Sequence, residues 1–148
     1  MYERAIVEAR KVLEFDDTNY LVYGVIGLSH FFQGKLSEAR EPAEEAFRQA
    51  PWSAPVVGFL AGLRAQAGEK ERAEKLIATM RGAIPVGMIL YHLVCSEIDA
   101  ALDWYERAIE QHHPLAAQIA SAGRPFKILR SSPRWPKLAR MMNLPGTM

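Results

Sequence analysis

The sequence predicts an all-α protein built as a solenoid of stacked helical hairpins, with a right-handed superhelix and a C-terminal helical cap. The stretch 27–51 recurs, with substitutions, 34 positions later as residues 61–85. A fixed period of this length is typical of stacked helical hairpins. The same spacing relates a turn glycine, an alanine early in the following helix and a closing proline, which are Gly34 and Gly68, Ala39 and Ala73, and Pro51 and Pro85.

Length and composition indicate one ordinary globular domain. The chain has 148 residues, 49% of them hydrophobic, and a net charge of +1, so its overall charge does not indicate nucleic acid or membrane as a partner. The single cysteine, Cys95, excludes an internal disulfide and fits a reducing compartment, from which we expect a cytoplasmic location. The sequence has no run of about 18 apolar residues, so it predicts no transmembrane helix. The charged N-terminus does not resemble a signal peptide.

Residues 2–15 form the first predicted helix, with apolar residues at helical spacing and charged residues on the other face. Ala5 stands 34 positions before Ala39, so this helix matches the second helix of a repeat. Residues 2–19 are therefore expected to be a partial first repeat whose first helix is missing, and the chain is expected to begin in mid-repeat.

Three further repeats complete a predicted repeat region over residues 1–113. The first, 20–53, has helices at about 20–32 and 37–49, with Ser37 as the N-cap. The second, 54–87, ends in a helix from Glu71 to Arg81. The third, 85–113, is shortened, with helices at about 86–95 and 98–111, Ser96 in the place of the turn glycine and Pro114 closing it.

Residues 114–148 are predicted to be a capping segment, because the outer face of a terminal repeat needs cover. We expect a short helix at 115–121, a loop at 122–125 and a last helix opened by Ser132 and Pro133 and ending near Met142. Its apolar stripe predicts that the segment packs on the repeats with Trp135 buried.

The repeat landmarks resemble those of the tetratricopeptide repeat (TPR), over roughly residues 2–113. The end of the chain is also similar to the C-terminal TPR region of bacterial multidomain signalling proteins, including adenylate cyclase-like proteins and winged-helix regulators. Those proteins end in L-R-x-D-P-R-F, a short helix and L-P. The counterpart here is residues 129–135, LRSSPRW, followed by Leu144-Pro145. The resemblance implies a non-catalytic protein-binding module, the C-terminal docking or sensor part of a larger signalling or regulatory protein.

The resemblance also implies a concave groove lined by the first helix of each repeat. It has no Lys, Arg or Asn, so clamping of a peptide's terminal carboxylate by such side chains is disfavoured. We expect either a partner segment or the chain's own tail to cover this apolar surface, with the tail slightly favoured. The groove positions are Leu21, Gly24, Leu28, Phe31, Phe32, Pro55, Gly58, Gly62, Ala65, Gln66, Leu90 and Leu93. Gly58 and Gly62 admit a second interpretation, close helix packing.

Six basic residues follow Glu110, the last acidic residue of the chain. The favoured interpretation is that this basic tail lies on the more acidic repeats. The alternative is contact with an external anion or nucleic acid, although nucleic acid is the less favoured partner. The six are Arg124, Lys127, Arg130, Arg134, Lys137 and Arg140.

No pattern predicts catalysis, a cofactor or a metal site. His92 and Cys95 stand one helical turn apart, but the other candidate ligands, His112 and His113, lie at the far end of the next helix, and a packed thiol beside a histidine is the favoured interpretation. Phosphate-binding glycine loops and the nucleophile-elbow motif are missing from the sequence. The chain is therefore expected not to be an enzyme.

The missing helix next to residues 2–15 predicts self-association. Tyr2, Ala5, Ala9 and Val12 are expected to face water on the open side, and exposing several apolar side chains favours a substitute partner. We expect a homodimer through this helix, with two-fold symmetry as the commonest arrangement.

Overall fold

The computed structural model of the chain describes residues 2–80, 84–121 and 126–143. These ranges contain ten helices and no strand. The first five are α1 (Tyr2–Phe15), α2 (Tyr20–Phe32), α3 (Leu36–Gln49), α4 (Ala54–Gln66) and α5 (Lys70–Ala78). The others are α6 (Pro85–Val94), α7 (Ile98–Glu110), α8 (Pro114–Ser121), α9 (Lys127–Arg130) and α10 (Trp135–Met141). The predicted all-α solenoid of helical hairpins is confirmed.

Three antiparallel hairpins form the body of the solenoid: α2 with α3, α4 with α5 and α6 with α7. Each turn contains one residue in the left-handed region, where an L side chain costs energy. Gly34 has φ 78°, Gly68 has φ 85° and Ser96 has φ 59°, so Ser96 does occupy the place of the turn glycine. The sequence repeat therefore corresponds to the same backbone conformation at the turn of each hairpin.

The small residue early in the second helix of each repeat lets the two helices of a hairpin approach closely. Ala39, Ala73 and Ala101 are each 0% exposed. The described buried apolar residues form three clusters, and α4 lies in the central one, which spans α3 to α6, with an unbroken buried run from Val57 to Leu63. Helix α1 packs on α2 through Ile6 and Ala9.

The contact between α4 and α6 is unusually close because it is made by glycines. A Cβ added to Gly58 would overlap the backbone of Gly87, and one added to Gly62 would overlap the side chain of Val94. Helices α2 and α4, by contrast, contact each other only sparsely. They meet where the Phe31 and Phe59 rings lie edge to face, with centroids 5.9 Å apart.

The C-terminal segment packs on α7, as predicted. Trp135 is 3% exposed, and its ring stacks on Tyr105 with the centroids 5.7 Å apart. Leu129 and Leu138 are fully buried beside it. The apolar outer face of the last repeat is therefore covered by the chain itself.

Several predicted boundaries were wrong. Helix α5 ends at Ala78 instead of Arg81, because the last turn tightens: the Thr79 hydroxyl donates to the Leu76 carbonyl at 2.6 Å, and the Met80 amide donates to Ile77. Arg81 lies outside the described residues. Ser37 is not the N-cap of α3, because that helix already begins at Leu36.

The cap also differs from its prediction in detail. Pro114 opens α8 instead of closing α7, since residues 111–113 form a turn with His112 at φ 53°. The hydroxyl of Ser132 accepts a hydrogen bond from the Arg134 amide at 3.1 Å, which stabilises a turn before α10 and leaves the helix to begin at Trp135. The short helix α9 was not predicted. The predicted loop at 122–125 and the Leu144-Pro145 ending lie outside the described residues.

Across the part of the chain that the structure describes, no helix is long and apolar enough to cross a membrane.

Candidate functional site

An open apolar cavity of about 360 Å³ lies between α2 and α4, and we call it the α2–α4 crevice. One wall comes from α2 and the other from α4 and its N-cap, while the floor comes from α3 and α6. The lining residues are Tyr20, Leu21, Gly24, Val25 and Leu28 of α2, Ser53, Pro55, Val56 and Phe59 on the α4 side, and Ala43, Ala46 and Leu90 below. None of these side chains carries a charge.

The crevice exists because a glycine occupies the middle of its α2 wall. Nothing lies within 4 Å of a Cβ added to Gly24. Gly58 holds the same position one repeat later, where the backbone of α6 fills the equivalent space. Gly58 therefore lies in a closed helix contact, whereas Gly24, at the equivalent repeat position, lies beside open space.

The rim of the crevice exposes large apolar side chains. Leu21 is 64% exposed, and Val25, one turn later on α2, is also exposed. Trp52 is 71% exposed and its ring packs edge-on against Tyr20, with centroids 5.3 Å apart. Contiguous exposed apolar surface of this kind is characteristic of interaction sites.

The predicted groove residues divide between the crevice and closed contacts. Leu21, Gly24, Leu28 and Pro55 line the crevice, and Leu90 lies at its floor. Gly58 and Gly62 lie in the closed α4–α6 contact, which agrees with the close-packing interpretation offered for them.

The remaining predicted groove residues lie beyond the crevice. The Phe32 ring stacks on Tyr2, with centroids 6.0 Å apart, and meets Phe126 edge to face, with centroids 6.1 Å apart. Leu93 is buried with the cap, while the Gln66 amide donates to the Val94 carbonyl at 2.9 Å. Phe31 and Ala65 pack at the edge of the central core.

The chain's own tail does not line the crevice in the described residues. Helices α9 and α10 pack on α7, and Phe126 reaches only the end of α2, at Phe32. Among the described residues, the tail therefore reaches the groove positions Phe32 and Leu93, and none of it lines the surface around Gly24.

The predicted groove positions did not include seven of the lining residues, nor Trp52 beside them. The seven are Tyr20, Val25, Ala43, Ala46, Ser53, Val56 and Phe59. Tyr20 and Val25 lie outside the helix positions that the TPR resemblance assigns to the groove. Trp52 falls in the loop between repeats, directly after Pro51. A tryptophan in a two-residue turn was the available signal, because a loop offers no core to bury it.

The basic tail is partly neutralised within the chain. The Arg134 guanidinium lies 2.8 Å from the Asp103 carboxylate and 3.4 Å from Glu106, and the Lys137 ammonium lies 3.0 Å from Glu106. These pairs agree with the favoured interpretation that the tail lies on acidic helices. Arg124 lies outside the described residues, Lys127 and Arg140 are exposed, and Arg130 has interactions of its own.

His92 and Cys95 do not form a described metal or catalytic pair, because His92 pairs with Glu97. The His92 Nδ1 atom lies 3.0 Å from a Glu97 carboxylate oxygen. Burial, with a smaller effect of Glu97, raises the pKa of the Cys95 thiol to about 11, so the reactive thiolate is disfavoured. Within residues 2–80, 84–121 and 126–143, no three His, Cys, Asp or Glu side chains form a group that could hold a metal ion.

Comparison with known proteins supports the repeat assignment. Residues 30–98 match a family model described as tetratricopeptide repeat. No curated protein and no solved structure matches the chain. The matched stretch runs from the end of α2 to the start of α7 and includes the turns at Gly34, Gly68 and Ser96. Residues 30–98 are thus similar to the tetratricopeptide repeat, and the described helices form a TPR-like all-α solenoid.

Proposed function

We propose that this protein is a non-catalytic interaction module that binds a protein segment in the α2–α4 crevice. Tetratricopeptide repeats generally mediate protein–protein interaction. The observation that carries the assignment to this surface is the open, uncharged space beside Gly24, framed by exposed Leu21, Val25 and Trp52. Burying these side chains contributes about 25 cal/mol for each Å² of apolar area removed from water.

A partner that docks there presents apolar side chains along one face. The lining contains no charged group to desolvate, so apolar contact meets no opposing electrostatic cost. Two kinds of segment present such a face: a helix with apolar residues at three- and four-residue spacing, and an extended apolar segment.

Within a cell, we propose that the module works in the cytoplasm as the C-terminal docking or sensor part of a larger signalling or regulatory protein. The support is the resemblance of residues 129–135 to the ending of TPR regions in adenylate cyclase-like and winged-helix regulators. Expression of the parent gene with each of its other regions deleted in turn tests this placement.

Self-association through α1 is a separate proposal. Tyr2 and Ala9 do not face water as expected: Ala9 is buried against α2, and Tyr2 is half-buried on Phe32. Val12 and Phe15, however, are 44% and 92% exposed. We propose that these two side chains meet their counterparts in a second copy across a two-fold axis.

Selection from a displayed library of short random peptides tests the crevice. The wild-type protein is the target, and the Gly24→Leu variant serves for counter-selection, because its added side chain enters the open space without displacing a neighbour. Ala78→Leu adds the same side chain on the exposed end of α5 and is the matched control. Peptides that bind the wild type and the Ala78→Leu protein about tenfold or more tightly than Gly24→Leu would support the proposal. Binders that do not distinguish Gly24→Leu would contradict it.

A further inference from the structure

One end of the α2–α4 crevice brings two helix N-termini together. Tyr20 is the first residue of α2, and Trp52 immediately precedes Ser53, the N-cap of α4. The contact between the Tyr20 and Trp52 rings therefore joins the starts of the two helices. The amide groups of a helix's first turn lack intrahelical acceptors and carry partial positive charge.

Neither N-terminus is capped by a side chain. Asn19 and Ser53, the N-cap residues of α2 and α4, make no side-chain cap hydrogen bond, and neither helix has an acidic residue in its first turn. The second helices of the repeats differ, because α3, α5 and α7 have an acidic residue in the first turn: Glu38, Glu71 and Asp99 respectively. At this end of the crevice, neither of the two helices that form its walls, α2 and α4, has an acidic residue in its first turn.

An unpartnered polar side chain lies at the same end. Ser53 is only 8% exposed and lines the crevice. In the described part of the chain, its hydroxyl neither caps α4 nor hydrogen-bonds to another group. The hydroxyl is therefore free to donate to, or accept from, a polar group of an occupant of the crevice.

We propose that the occupant of the crevice is a protein segment whose apolar side chains fill the space beside Gly24 and whose acidic side chain lies at the Ser53 end. There the carboxylate accepts hydrogen bonds from the Ser53 hydroxyl and from the Ala54 or Val56 amide at the start of α4, as anions do at helix N-termini; Pro55 between them has no amide hydrogen. This inference rests on the proposed function and assigns the chemistry and direction of its partner. The recognition involves backbone amides and a hydroxyl, so it needs no Lys or Arg in the groove.

Peptides from the library selection supply the test. The tightest crevice-dependent peptide containing an acidic residue is compared with copies in which each Glu or Asp is replaced by Gln or Asn, and with a scrambled copy. Neutralising one acidic position should weaken binding to the wild type by about threefold to tenfold. On the Ser53→Ala protein, the same change should have a smaller effect. Thr79→Ala removes a hydroxyl remote from the crevice and should leave the difference intact.

The outcomes separate the two proposals. Crevice-dependent peptides that lack acidic residues, or whose neutral copies bind equally well, would overturn the acidic-partner inference and leave the proposed function standing. An equal loss on wild-type and Ser53→Ala proteins would also overturn it. A failure to obtain any peptide sensitive to Gly24→Leu would overturn both.

Discussion

Gly58 and Gly87 lie face to face, so that a Cβ on Gly58 would overlap the carbonyl group of Gly87. This contact draws α4 against α6. At the equivalent position one repeat earlier, Gly24 faces open space, since α2 and α4 contact each other only sparsely. The same residue type at the same repeat position thus closes one helix pair and leaves a crevice in the other.

The two glycines should respond in opposite directions to the same substitution. Gly58→Ala forces backbone apart and should lower the free energy of unfolding by about 1–3 kcal/mol or more. Gly24→Ala meets nothing and should raise it by about 0.5–1 kcal/mol, because alanine is the better helix former. Urea unfolding of both variants measures the difference. Equal changes of the same sign would contradict the described packing.

Ser96 holds the left-handed turn position that glycine holds in the two preceding hairpins. Ser96→Gly should therefore stabilise the protein by about 1 kcal/mol, because glycine adopts a positive φ without steric cost. The matched reverse change, Gly68→Ser, should destabilise it by a similar amount. Thermal unfolding of the two variants provides the readout, and a Ser96→Gly protein less stable than wild type would argue against this turn geometry.

Two tryptophans provide a comparison between core and surface. Trp135→Ala removes a buried ring from its stack on Tyr105 and should cost about 3–5 kcal/mol of stability. Trp52→Ala removes an exposed ring and should change stability by at most about 0.5 kcal/mol. If removing Trp135 costs no more than removing Trp52, the C-terminal segment does not cap the repeats in solution.

The proposed α1 contact predicts concentration-dependent self-association. Light scattering after size exclusion should give the mass of a dimer at tens of micromolar, and the Val12→Glu, Phe15→Glu double variant should be monomeric because it places four like charges at the two-fold interface. Ile128→Glu alters an equally apolar exposed residue in the tail and should leave the dimer intact. A monomeric parent, or a double variant that still dimerises, would refute the contact.

The helices and turns were largely predictable, because a 34-residue period, turn glycines and small packing residues are local signals. The four-residue helix α9 was not, since it is too short to show a helical period. The crevice was only partly predictable. Gly24 and Gly58 hold the same repeat position, and although Gly62 one turn after Gly58 suggested close packing there, only the relative placement of α2, α4 and α6 shows that the surface at Gly24 is open. The absence of a capping bond from Ser53 likewise appears only in the structure.

The most direct test of the central claim maps where a selected peptide binds by following backbone amide chemical shifts during titration of the isotope-labelled protein. The account predicts the largest changes at Leu21, Gly24, Val25, Val56 and Phe59, with little change along α7 and α10. Saturable shifts confined to α7 and α10 or to the outer face of α1, with the crevice amides unperturbed, would contradict it.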